Sequence, residues 1–537
     1  MLPKFLTTQT KTITGAAIVL GAASLVSRLI GIIRDRTFAH VFGAGDALDT
    51  YLAAFRVPDF IYNLLIIGAL SAGFIPIFTK LIETDKEEAW RVTNSVLNIL
   101  FILLLIICGV MFIFTPTLMR YIVPGFSGEK LEMTILLTRI MLLSPIIHGI
   151  STVVGGVIQS FKHFLLYALA PIVYNLSIIL SAIFLVPIWG TVGLAIGVLL
   201  GALLHLSVQF PAMLTHGFRY RWIANWNNTS VRTIGKLMIP RTIALGIQQI
   251  NWIVLIMFAS TLGEGRVTVF TFADNLQYAP VGIIGVSFAM AAFPILSSFV
   301  AKGELTKVID HLNGTIRQIL FFIIPITIIF ILLRAQVVRV IYGSGAFDWD
   351  ATILTMNTLA MFAISLFAQC LMPTLVRTFF TLQDTKIPLI AGFVSAIVNV
   401  LLASLLKDRL GVAGLALSFS LSMIVQFVIL WIFLRFRLGT LRESTIIPSL
   451  AKISVAGFLM AITIQSLKGP LAELVDMTRL WGILTQGGLA GLTGILIYGL
   501  VNYVLKLDEM IALKESLTRR FLKTKVVEGD VLGEKHL

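Results

Sequence analysis

Long apolar runs recur from one end of the sequence to the other, and they restrict the fold more than any other feature. Residues 92–116 and 411–434, for example, contain no charged residue. A bilayer core about 30 Å thick requires roughly 20 apolar residues for each helical crossing. The sequence is 57% hydrophobic and 13% charged, whereas soluble domains average about 45–50% and about 25%. The chain is therefore predicted to be an all-α polytopic membrane protein.

Hydropathy, together with breaks at proline, glycine and charge, predicts about fourteen transmembrane spans. An even number of spans places both termini on the same side of the membrane. The predicted spans lie near 15–33, 48–78, 92–116, 131–159, 164–187, 190–213, 233–261, 266–299, 313–341, 350–379, 387–406, 411–434, 447–467 and 480–505.

Lysine and arginine are concentrated in alternate connections between these spans. Such an excess is typical of cytoplasmic loops, whereas the intervening connections 186–190 and 342–347 contain neither residue. We therefore predict that the basic loops and both termini are cytoplasmic. The basic loop residues are Lys80, Lys86, Arg91, Lys162, Arg219, Arg221, Arg232, Lys236, Lys302, Lys307, Arg317, Lys386, Arg435, Arg437 and Arg442.

The formal charge of +14, from 41 basic and 27 acidic residues, raises the question of nucleic-acid binding. The basic residues lie in short loops without a stripe of interleaved aromatics, so no nucleic-acid partner is predicted. The sequence contains no HExxH, CxxC or Walker A motif. We therefore predict a transporter and not an enzyme, without catalytic residues, a metal or a cofactor. Cys108 and Cys370 lie inside apolar runs and are predicted to be inert.

Two halves of the sequence resemble each other. Gly43-Ala-Gly45 matches Gly263-Glu-Gly265, and Gln159-Ser-Phe-Lys162 matches Gln383-Asp-Thr-Lys386, at offsets of about 220 residues. Six spans in each repeat predict two pseudo-symmetric lobes of the same orientation with a substrate cavity between them. The predicted divisions are an N-terminal lobe at 1–218, a C-terminal lobe at 219–445, two additional helices at 446–506 and a cytoplasmic tail at 507–537.

Arginines occur within, or at the end of, the first, second and seventh predicted spans. A charge at the bilayer centre costs at least about 2.5–3.5 kcal/mol, so it normally faces a cavity and has a function. The planar guanidinium group suits phosphate or pyrophosphate because it binds them in a bidentate manner. Arg28, Arg34, Arg56 and Arg241 therefore predict an anionic ligand. Arg28 and Asp35, seven residues apart on one helix face, are expected to pair.

The second and eighth spans share a design in which polar residues precede a proline. A proline inside a span frees backbone carbonyls that need partners, which is typical of a bent helix beside a water-filled space. Both spans are therefore part of the predicted substrate site. The second span contributes Asp49, Arg56 and Pro58, and the eighth contributes Asp274, Asn275 and Pro280.

Two stretches resemble a known family. Ser27-Arg28-Leu-Ile-Gly31-Ile-Ile-Arg34-Asp35, followed by Phe42-Gly-Ala-Gly45, Asp49 and Phe55-Arg56-Val-Pro58, resembles the N-terminal signature of the MurJ (MviN) lipid II flippases. Arg377-Thr-Phe-Phe-Thr-Leu-Gln383-Asp-Thr-Lys386-Ile-Pro388 resembles the segment of this family between spans ten and eleven. The family belongs to the MOP exporter superfamily, and the resemblance extends over nearly the whole chain.

The resemblance implies a flippase of the bacterial inner membrane. Its substrate would be lipid II, the undecaprenyl-pyrophosphate-linked peptidoglycan precursor. Lipid II would pass from the inner to the outer leaflet by alternating access through a central cationic cavity. The implied partners are lipid II, the phospholipid bilayer and cell-wall synthesis proteins. On matching positions, the implied substrate-binding residues are Arg28, Arg34 and Asp49, and the supporting or gating residues are Ser27 and Gly31, to which the sequence adds Pro58 and Pro280.

One departure from the family pattern concerns the charge of the cavity. The family has an Asp-Arg pair in the eighth span, and this sequence has Asp274-Asn275, which removes one cation. Arg241 follows Pro240 in the adjoining seventh span, and a proline there would bend the helix. Our hypothesis is that Arg241 supplies the missing positive charge.

Other functions are compatible with parts of this pattern. A flippase for another lipid-linked polysaccharide precursor, of the O-antigen type, would need the same anion-binding cavity. A multidrug exporter of organic cations is disfavoured, because the arginines outnumber the acids in the predicted cavity. A non-transporting scaffold for cell-wall assembly would not need the arginines, so rescue of a cell depleted of its own lipid II flippase distinguishes it.

Cysteines introduced at Ser230 and Ser344 are expected to label from opposite sides of the membrane, since only the loop at 219–236 is basic. A membrane-impermeant maleimide, applied to intact and to permeabilised cells, measures this difference. Equal labelling of both positions from outside intact cells would contradict the predicted topology.

Overall fold

The computed structural model describes residues 13–67 and 73–521, and within these ranges every regular element is helical. The helices are α1 (Ile13–Phe42), α2 (Asp46–Ala54), α3 (Arg56–Ile61), α4 (Ile75–Thr84), α5 (Lys86–Ile122), α6 (Gly128–Met141), α7 (Leu143–Ser160), α8 (Phe164–Phe184), α9 (Val186–Trp189), α10 (Val192–Thr215), α11 (Thr229–Ser260), α12 (Arg266–Pro280), α13 (Val286–Ala301), α14 (Leu305–Leu332), α15 (Arg334–Tyr342), α16 (Trp349–Ala363), α17 (Leu366–Thr381), α18 (Lys386–Leu438), α19 (Glu443–Leu474), α20 (Leu480–Val504) and α21 (Asp508–Phe521). Short π-helical segments occupy Tyr62–Ile67 and Val281–Gly285.

A helix or a broken helix lies at each of the fourteen predicted spans. In the described part of the chain, nine helical segments are long and apolar enough to cross a membrane, and the bent pair α16 and α17 makes a tenth. α18 covers two predicted spans, 387–406 and 411–434. They are separated at Gly411, where the backbone leaves the helical conformation with a φ of 58°. The predicted all-α polytopic fold is confirmed.

Several helices begin where a polar side chain satisfies free backbone N–H groups. The Asp85 carboxylate accepts from the Glu88 N–H at 3.0 Å at the start of α5. The Asn228 side chain accepts from the Ser230 and Val231 N–H groups at the start of α11. Such N-caps each stabilise a helix by about 0.5–2 kcal/mol. They explain why the spans begin at these polar loop residues.

The second and eighth spans are both broken, as the prolines predicted. Pro58 lies in the short helix α3, which leads into the π-helical segment Tyr62–Ile67. Pro280 ends α12 and directly precedes the second π-helical segment. A proline removes one backbone donor, and π-helical turns occur frequently at functional sites. The two repeats therefore have the same irregularity in their second spans.

The chain forms two compact units. Unit 1 contains Met1–Ala279, Arg334–Ser365 and Thr385–Ile429, and unit 2 contains Pro280–Leu333, Leu366–Asp384 and Leu430–Leu537. In unit 1, α8 packs against both α1 and α10. In unit 2, α19 packs against α14 and α20, and α13 packs against α17. The division into lobes inferred from the sequence repeat stays a prediction.

Contacts between loops join connections that were predicted to lie on the same side of the membrane. In unit 1, Asn228 donates to Glu88 Oε1 at 2.7 Å. In unit 2, Arg442 forms an ion pair with Asp310. All four residues belong to, or adjoin, connections that carry the predicted cytoplasmic charge. This pattern is consistent with the alternation from which the topology was predicted.

Candidate functional site

A polar cluster in unit 1 centres on Asp35 in the first span, and we call Arg34, Asp35, Asn175 and Asn275 the Asp35 cluster. Arg34 Nη2 lies 2.8 Å from Asp35 Oδ1. Asn275 Nδ2 donates to the other oxygen, Asp35 Oδ2, at 2.8 Å. Arg34 Nη1 donates to Asn175 Oδ1 at 2.9 Å. The cluster thus links α1 to α8 and α12, which are far apart in the sequence.

The two charged members of this cluster, Arg34 and Asp35, differ in their exposure to solvent. The Asp35 residue is only 6% exposed, whereas 27% of the Arg34 side chain is exposed. A buried carboxylate must be paired, because an isolated charge out of water costs several kcal/mol. Arg34 and Asn275 provide that pairing. The guanidinium group of Arg34 is therefore the more accessible charge.

The expected pairing of Arg28 with Asp35 is wrong. Seven residues correspond to about 10.5 Å along a helix axis, and the neighbouring Arg34 is much closer to the carboxylate. Arg28 Nη1 lies 3.4 Å from the Ala279 carbonyl oxygen, which is a long hydrogen bond. The Arg28 guanidinium has no carboxylate partner among the described residues, so its charge is not neutralised by direct contact.

The Arg56 guanidinium lies near acids of both broken spans. Its Nη2 donates to Thr271 Oγ1 at 3.2 Å, and its buried Nε has no partner among the described residues. Asp59 and Asp274 are the acids that interact with it electrostatically. Neither acid lies within ion-pair distance in the described structure, and the Asp274 carboxylate instead accepts from Gln277 at 2.9 Å. The structure therefore brings Arg56 and Asp274 into one region, as the sequence predicted.

Ser27 and Gly31 lie on α1 near Arg28. A Cβ added to Gly31 would meet no atom within 4 Å in the described structure. Gly31 is therefore not required for close packing in this conformation. Ser27 is half-buried, and no side-chain hydrogen bond of Ser27 occurs within the described ranges.

Asp49 is fully buried and bonded through both carboxylate oxygens. Oδ1 accepts from the Thr268 N–H at 2.9 Å and from Thr268 Oγ1 at 2.8 Å. Oδ2 accepts from the Gly265 N–H at 2.8 Å and from Lys130 Nζ at 3.1 Å. A carboxylate at this position caps the N-terminus of α12 and complements its dipole. The geometry favours a role for Asp49 in holding α2 and α12 together.

The two matched glycine motifs meet beside Asp49. Gly265 has a φ of +72°, and a Cβ there would lie 2.0 Å from the Ala44 carbonyl oxygen. Gly43 has a φ of +64°, and a Cβ there would lie 2.4 Å from the Ala346 carbonyl oxygen. Larger residues would force these loops apart, since glycine alone permits such close approach. Glycine at positions 43 and 265 therefore permits the close contact between these loops.

Further predicted site residues are placed as follows. Pro58 is buried in α3, and Pro280 is buried at the end of α12. Arg241 lies in α11, but its side chain falls outside the part of the chain that the structure describes. The hypothesis that Arg241 replaces a cation at Asn275 therefore stays a prediction.

Sequence reasoning missed three residues that hold this region together, namely Lys130, Asn175 and Thr268. Lys130 directly precedes the fourth predicted span and was not among the predicted site residues. Thr268 is uncharged, and its contribution depends on a backbone N–H that no sequence pattern reveals. Asn175 gave a signal, because it follows Gln159 and Lys162 as Asn399 follows Gln383 and Lys386 in the second repeat.

These features define a class of protein: a polytopic helical transporter with broken spans and buried charged groups. A sequence model of the family described as "Lipid II flippase MurJ" matches residues 38–483. The chain belongs to the MurJ lipid II flippase family, as its motifs predicted.

Individual relatives agree with this assignment. A probable lipid II flippase MurJ of Rickettsia prowazekii (strain Madrid E) is 28% identical over 92% of this chain and 98% of its own length. A solved lipid II flippase MurJ in an inward closed conformation is 24% identical, with a TM-score of 0.76 over 91% of this chain and 99% of that chain. An inward-facing multidrug resistance MATE family transporter of the MOP superfamily is 20% identical, with a TM-score of 0.68 over 80% of this chain and 99% of that chain. The fold is therefore shared with MOP transporters, and the family is one of transporters and not of enzymes.

Asp49→Ala is expected to destabilise the protein more than Asp46→Ala, although both aspartates pair with Lys130. Loss of the N-cap costs about 0.5–2 kcal/mol, and breaking a buried ion pair costs about 3–5 kcal/mol. The Asp46 side chain is 52% exposed, so its pair is worth about 1 kcal/mol or less. Thermal unfolding of both purified variants in one detergent measures the difference. Equal melting temperatures would show that Asp49 does not lock α2 to α12.

Proposed function

We propose that this protein translocates lipid II from the cytoplasmic to the outer leaflet of the bacterial inner membrane. The observation that carries the proposal is the Asp35 cluster, in which the partly exposed side chain of Arg34 lies at the end of the first predicted span in a chain of the MurJ family. Lipid II carries a pyrophosphate group, and guanidinium groups bind such anions through bidentate, charge-assisted hydrogen bonds. The substrate class follows from this match of charge and geometry together with the family.

The cluster suggests how substrate binding affects the protein. A pyrophosphate group near Arg34 would compete with Asp35 for the same guanidinium donors. Asp35 would then depend on Asn275 alone for compensation. Because Asn275 belongs to α12, binding would alter the link between α1 and α12. Such differential contacts are what a ligand needs to shift a conformational equilibrium.

Alternating access then requires contacts between helices and loops of unit 1 to break. The contacts that must break there are those of Asp49 with α12 and the close approach of the glycine loops. Arg36 adds a further link, since its Nη1 donates to the backbone carbonyls of Val340 and Ile341. Because Asp49 is a fully buried carboxylate, its oxygens must gain other donors, such as water, when these contacts break.

The proposed orientation places both termini and the basic loops in the cytoplasm. On that side lipid II is presented to the protein by the bilayer, and cell-wall synthesis proteins are proposed as further partners. The decisive experiment is expression of this chain in a bacterium depleted of its own lipid II flippase. Growth with normal shape and accumulation of lipid II in the outer leaflet are expected. Membrane insertion without any rescue would contradict the proposal.

Arg28→Ala is expected to reach the membrane at the normal level and to fail in this complementation. The reason is that Arg28 has no carboxylate partner among the described residues, so its loss leaves no buried acid unpaired. Arg139→Ala is the matched control, because Arg139 is a half-buried span arginine whose hydrogen bond and cation–π contact within the described ranges are both with Phe112. Loss of Arg28→Ala from the membrane fraction would favour a structural role instead.

Arg241→Ala is expected to abolish transport, and adding Asn275→Arg is expected to restore part of it. Asn275 already bonds to Asp35, so an arginine there would bring a cation into the Asp35 cluster. One charge-assisted contact is worth roughly 1.5–3 kcal/mol, or about tenfold to over a hundredfold in affinity. Complementation and a lipid II accessibility assay measure both variants. A double variant no better than Arg241→Ala would show that the two positions do not share a role.

A further inference from the structure

A cavity with a volume of about 230 Å³ lies in unit 2, apart from the Asp35 cluster. Arg317 of α14, Ser449 and Lys452 of α19, and Asp508 at the start of α21 are among the residues that line it. Pockets for drug-sized molecules usually measure about 300–1,000 Å³. This volume is better suited to a small polar group.

The cavity lies where three helices leave the apolar part of the membrane. Residues 318–333, which follow Arg317, and residues 453–467, which follow Lys452, contain no charge. Residues 480–505 are also uncharged and end just before Lys506 and Asp508. At the far end of two of these runs, Lys468 Nζ donates to the Leu332 carbonyl oxygen at 2.9 Å. The cavity therefore lies at the depth of lipid headgroups.

The charged groups around the cavity are of both signs. Arg317 pairs with Glu509 through Nε and with Asp508 through Nη2, the latter at 2.6 Å. Arg317 Nη1 has no hydrogen-bond partner within the described ranges. Lys452 is half-buried, and its ammonium likewise forms no hydrogen bond or ion pair there. Two donors for an anion are thus available beside an acid.

The two acids have different environments. Glu509 is 7% exposed, and its oxygens accept from Ser449 Oγ at 3.2 Å. Glu509 therefore anchors α21 to α19. The Asp508 side chain is 78% exposed and bonds to Arg317 through only one oxygen. Asp508 Oδ1 is left to accept from a cation.

We propose that this cavity binds the headgroup of an aminophospholipid of the phosphoethanolamine type. The phosphate accepts from Lys452 Nζ and Arg317 Nη1, and the ammonium group donates to Asp508. The two cations and two acids sum to zero charge, so the site has no excess charge with which to favour a purely anionic lipid. A zwitterionic headgroup can pair with the two cations through its phosphate and with Asp508 through its ammonium group. This site is independent of the proposed transport function.

Native mass spectrometry of the purified full-length protein tests this site. The probes are phosphatidylethanolamine and phosphatidylglycerol of matched acyl chains, added separately at equal concentrations. Preferential retention of phosphatidylethanolamine is expected. Lys452→Ala should weaken retention of both lipids, by about tenfold or more if one charge-assisted contact is lost. Asp508→Asn should remove the preference for phosphatidylethanolamine.

Lys307→Ala is the matched control, because Lys307 lies on α14 outside the cavity and its side chain is 60% exposed. It should leave the preference unchanged. A thermal unfolding curve of each variant without added lipid shows whether the fold is retained. Free phosphoethanolamine, added as competitor, should displace the lipid only weakly, since the acyl chains also contribute to binding. Equal retention of the two lipids by the unaltered protein, or an unchanged preference in a folded Asp508→Asn variant, would overturn the proposal.

Discussion

Pairing of a buried carboxylate, that of Asp35, is the constraint on which the contacts around α1 in unit 1 depend. Asp35 is buried away from water, so the protein must provide hydrogen-bond donors to its carboxylate. Arg34 and Asn275 provide them from α1 and α12, and Asn175 of α8 in turn supports Arg34. The need to satisfy one buried acid therefore determines how three helices from different parts of the sequence meet.

Most of the helical architecture could be predicted from the sequence, because the thickness of a bilayer fixes the length of an apolar run. The bends at Pro58 and Pro280 could also be predicted, since proline removes a backbone donor whatever surrounds it. The pairing of Arg28 with Asp35 failed because a shared helix face does not bring side chains together across about 10.5 Å of axis. Contacts made by Arg34 and Asn275 proved closer.

The role of Asp49 shows why the rest of the candidate site could not be predicted. Its carboxylate is bonded by backbone N–H groups of Gly265 and Thr268, and every residue except proline carries such a donor. Sequence composition therefore does not reveal which N–H groups are left free at the start of a helix. The close approach at Gly265 had only an indirect signal, the repeated glycine motif, whose physical reason is visible once the backbone is placed.

A transporter needs a binding charge that is available to substrate and yet tolerable in its absence. A fully buried ion pair would be too costly to break, since removing one partner leaves an uncompensated charge. An exposed arginine without a partner would bind ligand without any effect on the protein. Arg34 lies between these limits, because its side chain is partly exposed while its partner Asp35 is buried. In the proposed mechanism, substrate would replace Asp35 as the partner of Arg34, and Asp35 would retain the Asn275 hydrogen bond during the exchange. Binding energy would thereby be coupled to the contact between α1 and α12, as a ligand-driven change of access requires.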